Sequence, residues 1–116
     1  MPKKTSTNYE NQERIIGGCG MAFTLALIGG RWKPGILYQL LNTERMRFAE
    51  LKNQLKGISE RILASKLKEL EKDGLISRVV FPEVPPRVEY EMTEKGNSLK
   101  TMLETMSDWG ELNRDN

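Results

Sequence analysis

The chain has 116 residues, 38% of them hydrophobic and 29% charged, with eighteen basic residues against sixteen acidic ones for a net charge of +2. That length makes one domain with a modest core, marginal alone, and a charge so close to neutral gives no argument by itself for a nucleic-acid partner. A single cysteine excludes an internal disulfide framework and suits a reducing cytoplasm, the absence of histidine removes the usual general base and the commonest zinc ligand, and no apolar run nears the roughly twenty residues of a membrane span.

Residues 1–14 are polar, with no hydrophobic stretch after Lys3 and Lys4, and read as a disordered tail rather than a signal peptide; residues 15–112 form the domain and 113–116 a C-terminal tail. The run Gly17-Gly18-Cys19-Gly20 follows no strand and lacks the Lys-Ser/Thr of a phosphate-cradling loop. Cys19 lies just before a helix expected from near Met21 to Ile28, whose positive end favours a thiolate. That helix carries Phe23, Leu25, Leu27 and Ile28 and is apolar on more than one face. After Gly29-Gly30 a second helix starts near Trp32, with Pro34 tolerated in its first turn and Ile36, Leu37, Leu40 and Leu41 buried; Trp32 reads as core.

Phe48, Leu51 and Leu55 fall at i, i+3 and i+7 on one face of a short helix, and Leu63, Leu67 and Leu70 repeat at i, i+4 and i+7 on the next, with Ile62 on its flank. Between them, Gly57 allows a sharp turn and Ser59 stands at the N-cap; Gly74 reads as the left-handed residue that ends the second helix. The stretches 75–81 and 88–92 read as strands, the latter cleanly of period two. Pro82, Pro85 and Pro86 make a stiff loop between them, closed by Arg87. Thr93 caps a last helix on which Leu99, Met102, Leu103, Met106 and Trp109 form an apolar stripe.

Helix, tight turn, helix and two strands joined by a loop is the order of a winged helix-turn-helix: mainly α with a small β-hairpin, an α+β fold. Opposite its leucines the second helix places Arg61, Ser65, Lys68 and Lys72, with Ala64 beside them, and no acid. An arginine can fork onto a guanine edge, a serine can reach a base or phosphate, and an alanine can touch a thymine methyl. A solvated surface of lysines is the plainer reading of such a stripe; its place on this helix, ahead of a loop ending in a cation, favours the first. Arg87 suits an electronegative minor groove, or else pairs with Glu83 or Glu89. Residues 1–41 and 44–72 each carry a balance of +3 (five basic against two acidic, and eight against five), whereas 89–116 carry −4 (three against seven). That polarity would orient the molecule on phosphate.

The runs Leu27-Ile-Gly-Gly-Arg-Trp-Lys33, Gly57-Ile-Ser-Glu-Arg61, Leu67-Lys-Glu-Leu-Glu-Lys-Asp-Gly-Leu75 and Pro82-Glu-Val-Pro-Pro-Arg-Val-Glu-Tyr90 together resemble the HxlR-type bacterial transcription regulators over roughly residues 19–110. The resemblance implies a homodimeric winged-helix regulator on a pseudo-palindromic double-stranded operator, with the 59–72 helix in the major groove and the 82–87 loop as wing. Ser59, Arg61, Ala64, Ser65, Lys68 and Arg87 are then the candidate DNA-binding residues. Where family members often carry Cys-Pro before the first helix, Gly20 follows Cys19 here.

The apolar stripe of the last helix reads by default as core. A winged helix already has one, so a partner subunit explains better the set Leu99, Met102, Leu103, Met106 and Trp109, with Leu25 of the early helix meeting it. In some members of the resembled family a cysteine at the position of Cys19 senses oxidants or electrophiles; the alternative is an inert small residue at the subunit contact. With no second cysteine, a switch here needs an intersubunit Cys19–Cys19 bond, a mixed disulfide or an adduct. Catalysis, a metal and a cofactor are not expected. Two other readings stay open: a regulator answering to a small molecule held near the dimer helices, and a winged-helix module that binds protein.

Overall fold

The computed structural model describes residues 19–115. The expected tail over residues 1–14, its lysines, and Gly17-Gly18 lie outside the described residues. The elements run α1 (Gly20–Ile28), α2 (Lys33–Leu41), β1 (Met46–Arg47), α3 (Phe48–Gln54), α4 (Glu60–Lys72), β2 (Ile76–Phe81), β3 (Arg87–Met92), α5 (Glu94–Asn97) and α6 (Lys100–Asn113). The strands form one antiparallel sheet in the order β1-β3-β2, with Met46 opposite Tyr90 and Ile76 opposite Met92.

One core joins the elements. Ile36, Leu37 and Leu40 of α2, Leu51 of α3, Leu63, Leu67 and Leu70 of α4, and Leu75 and Ile76 entering the sheet are buried together. The helical spacings set out above therefore point inward, and burying these side chains at about 1.5–3 kcal/mol each is the main stabilising term. Trp32 packs against this cluster, and the Arg31 guanidinium stacks 4.7 Å from its ring centroid. Pro34 sits in the first turn of α2, where its missing N–H costs no helical bond.

The turn between α3 and α4 follows from its residues. Gly57 takes φ +89°, in the left-handed region that glycine enters without a Cβ clash. Ile58 is buried, and Ser59 caps α4 by accepting a hydrogen bond at Oγ from the Ile62 N–H at 3.1 Å. At the far end Gly74 takes φ +79° and lets the chain turn into β2.

One expectation is corrected. Thr93 caps the four-residue α5 rather than the long last helix: its Oγ1 accepts from the Gly96 N–H at 3.0 Å, and α6 begins separately at Lys100. Gly96, Asn97 and Ser98 are weak helix formers, and the Ser98 hydroxyl donates to the Lys95 carbonyl, competing with the helical backbone at the break.

Strand β1 was not foreseen. Two residues are too few to show a period, and Met46–Arg47 becomes a strand only by pairing with Tyr90 and Glu89.

Candidate nucleic-acid interface

The buried leucines fix the rotation of α4, so its opposite face is turned to solvent. Arg61, Ala64, Ser65, Lys68 and Lys72 are all exposed, and Ser59 is exposed at the helix start. None of the three cations among them, Arg61, Lys68 and Lys72, has an ion-pair partner among the described residues. A second device holds the helix: the Lys33 ammonium, buried at the start of α2, meets Glu69 of α4 at 2.7 Å. Partial burial pushes the Glu69 carboxyl upward, but the hydrogen bond and charge of Lys33, helped by Lys66 and by a hydrogen bond from Ser65, outweigh it and leave Glu69 below its usual value.

Between α4 and the sheet lies an open cleft of about 450 Å³, lined by Ala64, Ser65, Lys68 and Glu71 on the helix and by Arg78 and Tyr90 on the strands. Glu71 qualifies the acid-free reading of this face, because it stands at the edge of the stripe and joins the lining. Arg78 was missed from sequence. The signal was there: Ile76, Arg78 and Val80 alternate to one side of β2, so the face that buries Ile76 carries Arg78 out towards α4.

The wing is built differently from the expected basic loop. The Arg87 guanidinium pairs with Glu83 at 2.8 Å and Glu89 at 2.7 Å, and lies 3.8 Å from the centroid of Phe81. Of the two readings of Arg87, a minor-groove cation or an arginine paired with Glu83 or Glu89, the pairing is present in the free chain, with both partners engaged at once. Arg45 also lies over Phe81, 5.5 Å from the ring centroid, and pairs with Glu91 at 2.7 Å. The hydrogen bond to Glu83, opposed by desolvation and helped by Glu89, holds Arg87 more firmly charged than usual, and Glu91 does the same for Arg45. The loop's cation is therefore committed to shaping the loop, and the tip presents Val84, wholly exposed, flanked by Pro82, Pro85 and Pro86.

The proposed subunit contact divides in two. Leu103 is buried in the chain's own core and Leu99 and Met102 pack against it, because the first half of α6 lies on α2. For these three residues the core reading holds within one subunit. Met106 and Trp109, farther along α6, are 50% and 69% exposed, and Met21 and Leu25 of α1 are 71% and 49% exposed. Cys19 is exposed and occupies the N-cap of α1, where its carbonyl accepts from the Phe23 N–H at 3.2 Å.

Comparison with known proteins agrees with this geometry. A family model described as HxlR-like helix-turn-helix matches residues 27–116. The chain is 44% identical over 108 residues to an HTH-type transcriptional regulator of Halalkalibacterium halodurans, covering 93% of this chain and 96% of that one. It is likewise 44% identical over 107 residues to the HTH-type transcriptional regulator YybR of Bacillus subtilis, covering 92% and 82%. Among solved structures, the redox regulator HypR in its reduced form superposes with a TM-score of 0.80 at 41% identity, over 84% of this chain and 95% of that chain. The reduced form of the transcriptional regulator YodB from B. subtilis superposes with a TM-score of 0.69 at 35% identity, over 79% and 90%.

Proposed function

The chain belongs to the HxlR-like helix-turn-helix family and is a DNA-binding transcription regulator rather than an enzyme, and from that premise we propose how it docks. It acts in the cytoplasm as a homodimer on a pseudo-palindromic duplex, each subunit laying α4 in one major groove. Arg61, on the first turn of α4, reads a base edge, with Ala64 and Ser65 beside it. Ser59 and Lys68 contact phosphate. The wing lies along the minor groove, with Arg87 holding the loop in shape and the apolar tip around Val84 facing the sugars.

One observation carries this reading: an exposed face of unpaired cations on the second helix of the helix-turn-helix, held in a fixed rotation by three buried leucines and the Lys33–Glu69 pair. Dimerisation is supported by the exposed Met106 and Trp109 of α6 and Met21 and Leu25 of α1, too apolar a set for a lone small domain to leave in water. The test is selection of bound fragments from genomic DNA. The expected sites are inverted repeats with half-sites about one helical turn apart, roughly 34–36 Å. Binding without any repeat, or no binding to duplex, would overturn it.

A second reading concerns the signal. Cys19 is an exposed thiol at the N-cap of α1, the helix that carries Met21 and Leu25 to the proposed subunit contact. The structural relatives HypR and YodB include a redox regulator solved in reduced and oxidised forms and a regulator solved after diamide treatment. Oxidation of Cys19 would act by changing how the two α1 helices meet, and with them the spacing of the two α4 helices.

A further inference from the structure

The cleft between α4 and the sheet has a strand-side wall that the helix-and-wing description leaves unused. Arg78 of β2 stands there beside its cross-strand neighbour Tyr90, facing Lys68 of α4. The other arginines in or next to the sheet are engaged: Arg45 with Glu91, Arg47 with Glu89, and Arg87 with Glu83 and Glu89. Of those carboxylates, Glu89 and Glu91 lie on the opposite face of β3, since they alternate with Tyr90. Arg78 is exposed and has no ion-pair partner among the described residues, and neither has Lys68. The one carboxylate in the lining, Glu71, pairs with neither of them, so two cations and one acid give the cleft a charge of +1.

Two like charges on facing walls of one cleft repel unless an anion sits between them. Duplex DNA supplies one at this place. With α4 in the major groove and the wing along the minor groove, the sugar-phosphate strand that divides the grooves has to pass between helix and wing, through this cleft. We propose that Arg78 and Lys68 clasp a phosphate of that strand, Arg78 by its planar two-pronged donor and Lys68 as a point charge from the other side. The assignment rests on the docking described above. It gives Arg78 a role in register and affinity and none in base choice.

The experiment measures operator and unrelated duplex binding over a salt series for the full chain, Arg78→Ala, Arg78→Lys and Arg61→Ala. Removing one phosphate contact makes the slope of log K against log salt shallower by about 0.9, so from 50 to 200 mM salt Arg78→Ala loses about 3.5-fold less affinity than the wild type. At low salt it binds both duplexes more weakly by a common factor. Arg78→Lys keeps the wild-type slope with reduced affinity. Ethylation of one operator phosphate per half-site weakens the wild type and has no further effect on Arg78→Ala. Unchanged affinity and slope for Arg78→Ala, with Arg61→Ala altered, would overturn the clasp and leave the docking standing. A change of base preference in Arg78→Ala would overturn it in favour of base reading. Unchanged binding in both alanine variants would remove the docking itself.

Discussion

Removing Glu69 should harm the protein more than removing the lysine it pairs with. The Lys33 side chain is 9% exposed and the Glu69 side chain 45%, with 2.7 Å between their charged atoms. Glu69→Ala strands an ammonium in a nearly closed site. For a fully buried pair that costs about 3–5 kcal/mol; because half of this pair is wetted, about 2 kcal/mol is the expected loss. Lys33→Met removes the buried charge and keeps the packing volume, leaving a carboxylate that water already reaches, so its cost should stay under about 1 kcal/mol. Lys33→Met combined with Glu69→Ala should recover most of the loss. Urea denaturation at one fixed protein concentration measures all three variants, and Glu69→Ala should melt on the order of 10 °C below the wild type. The pH dependence has a definite sign. The Glu69 carboxyl is lowered in the folded chain from an ordinary 4.5, so its contribution is complete above that value and is lost as the pH falls through the lower folded one. The gap between wild type and Glu69→Ala should therefore close in acid. If Lys33→Met proved as damaging as Glu69→Ala, the argument that desolvation dominates this pair would be wrong.

The exposed end of α6 should govern assembly: Met106→Glu with Trp109→Glu is expected to give folded monomers by sedimentation, since both side chains lie outside the subunit's own core. The same pair of changes at Leu99 and Leu103 should instead unfold the chain, and a wild type that sediments as a monomer would contradict the dimer. For Cys19, diamide should change operator affinity reversibly, with dithiothreitol restoring it, while Cys19→Ser binds normally and ignores the oxidant. Equal oxidant responses in the two proteins would end the thiol reading and point to a bound small molecule as the signal.

Much of the fold could be read from residue spacing because the core is built on it. Leu63, Leu67 and Leu70 are buried at the spacing that marked the helix, and Ser59, Gly57 and Gly74 do the capping and turning their chemistry suggested. What could not be read depended on partners far away in sequence. Strand β1 exists through its pairing with β3, and the break before α6 through three weak helix formers that a continuous apolar stripe concealed. The same limit applied to the site. The face of α4 was legible because it is the complement of a buried stripe. The state of Arg87 was not, because a cation on a loop looks alike in sequence whether it faces DNA or is held by Glu83, Glu89 and Phe81. Arg78 was passed over for the converse reason: its freedom is visible only once the sheet's carboxylates are seen on the other face.

The central claim is that α4 reads bases through Arg61, and selection of randomised duplexes followed by sequencing tests it most directly. Arg61→Ala should lose its preference at one base pair in each half-site while keeping the rest of the motif, with operator affinity down by about 1–3 kcal/mol. Lys68→Ala, run beside it, should keep every preference and weaken all sequences alike. A motif and an affinity unchanged by Arg61→Ala would contradict the account.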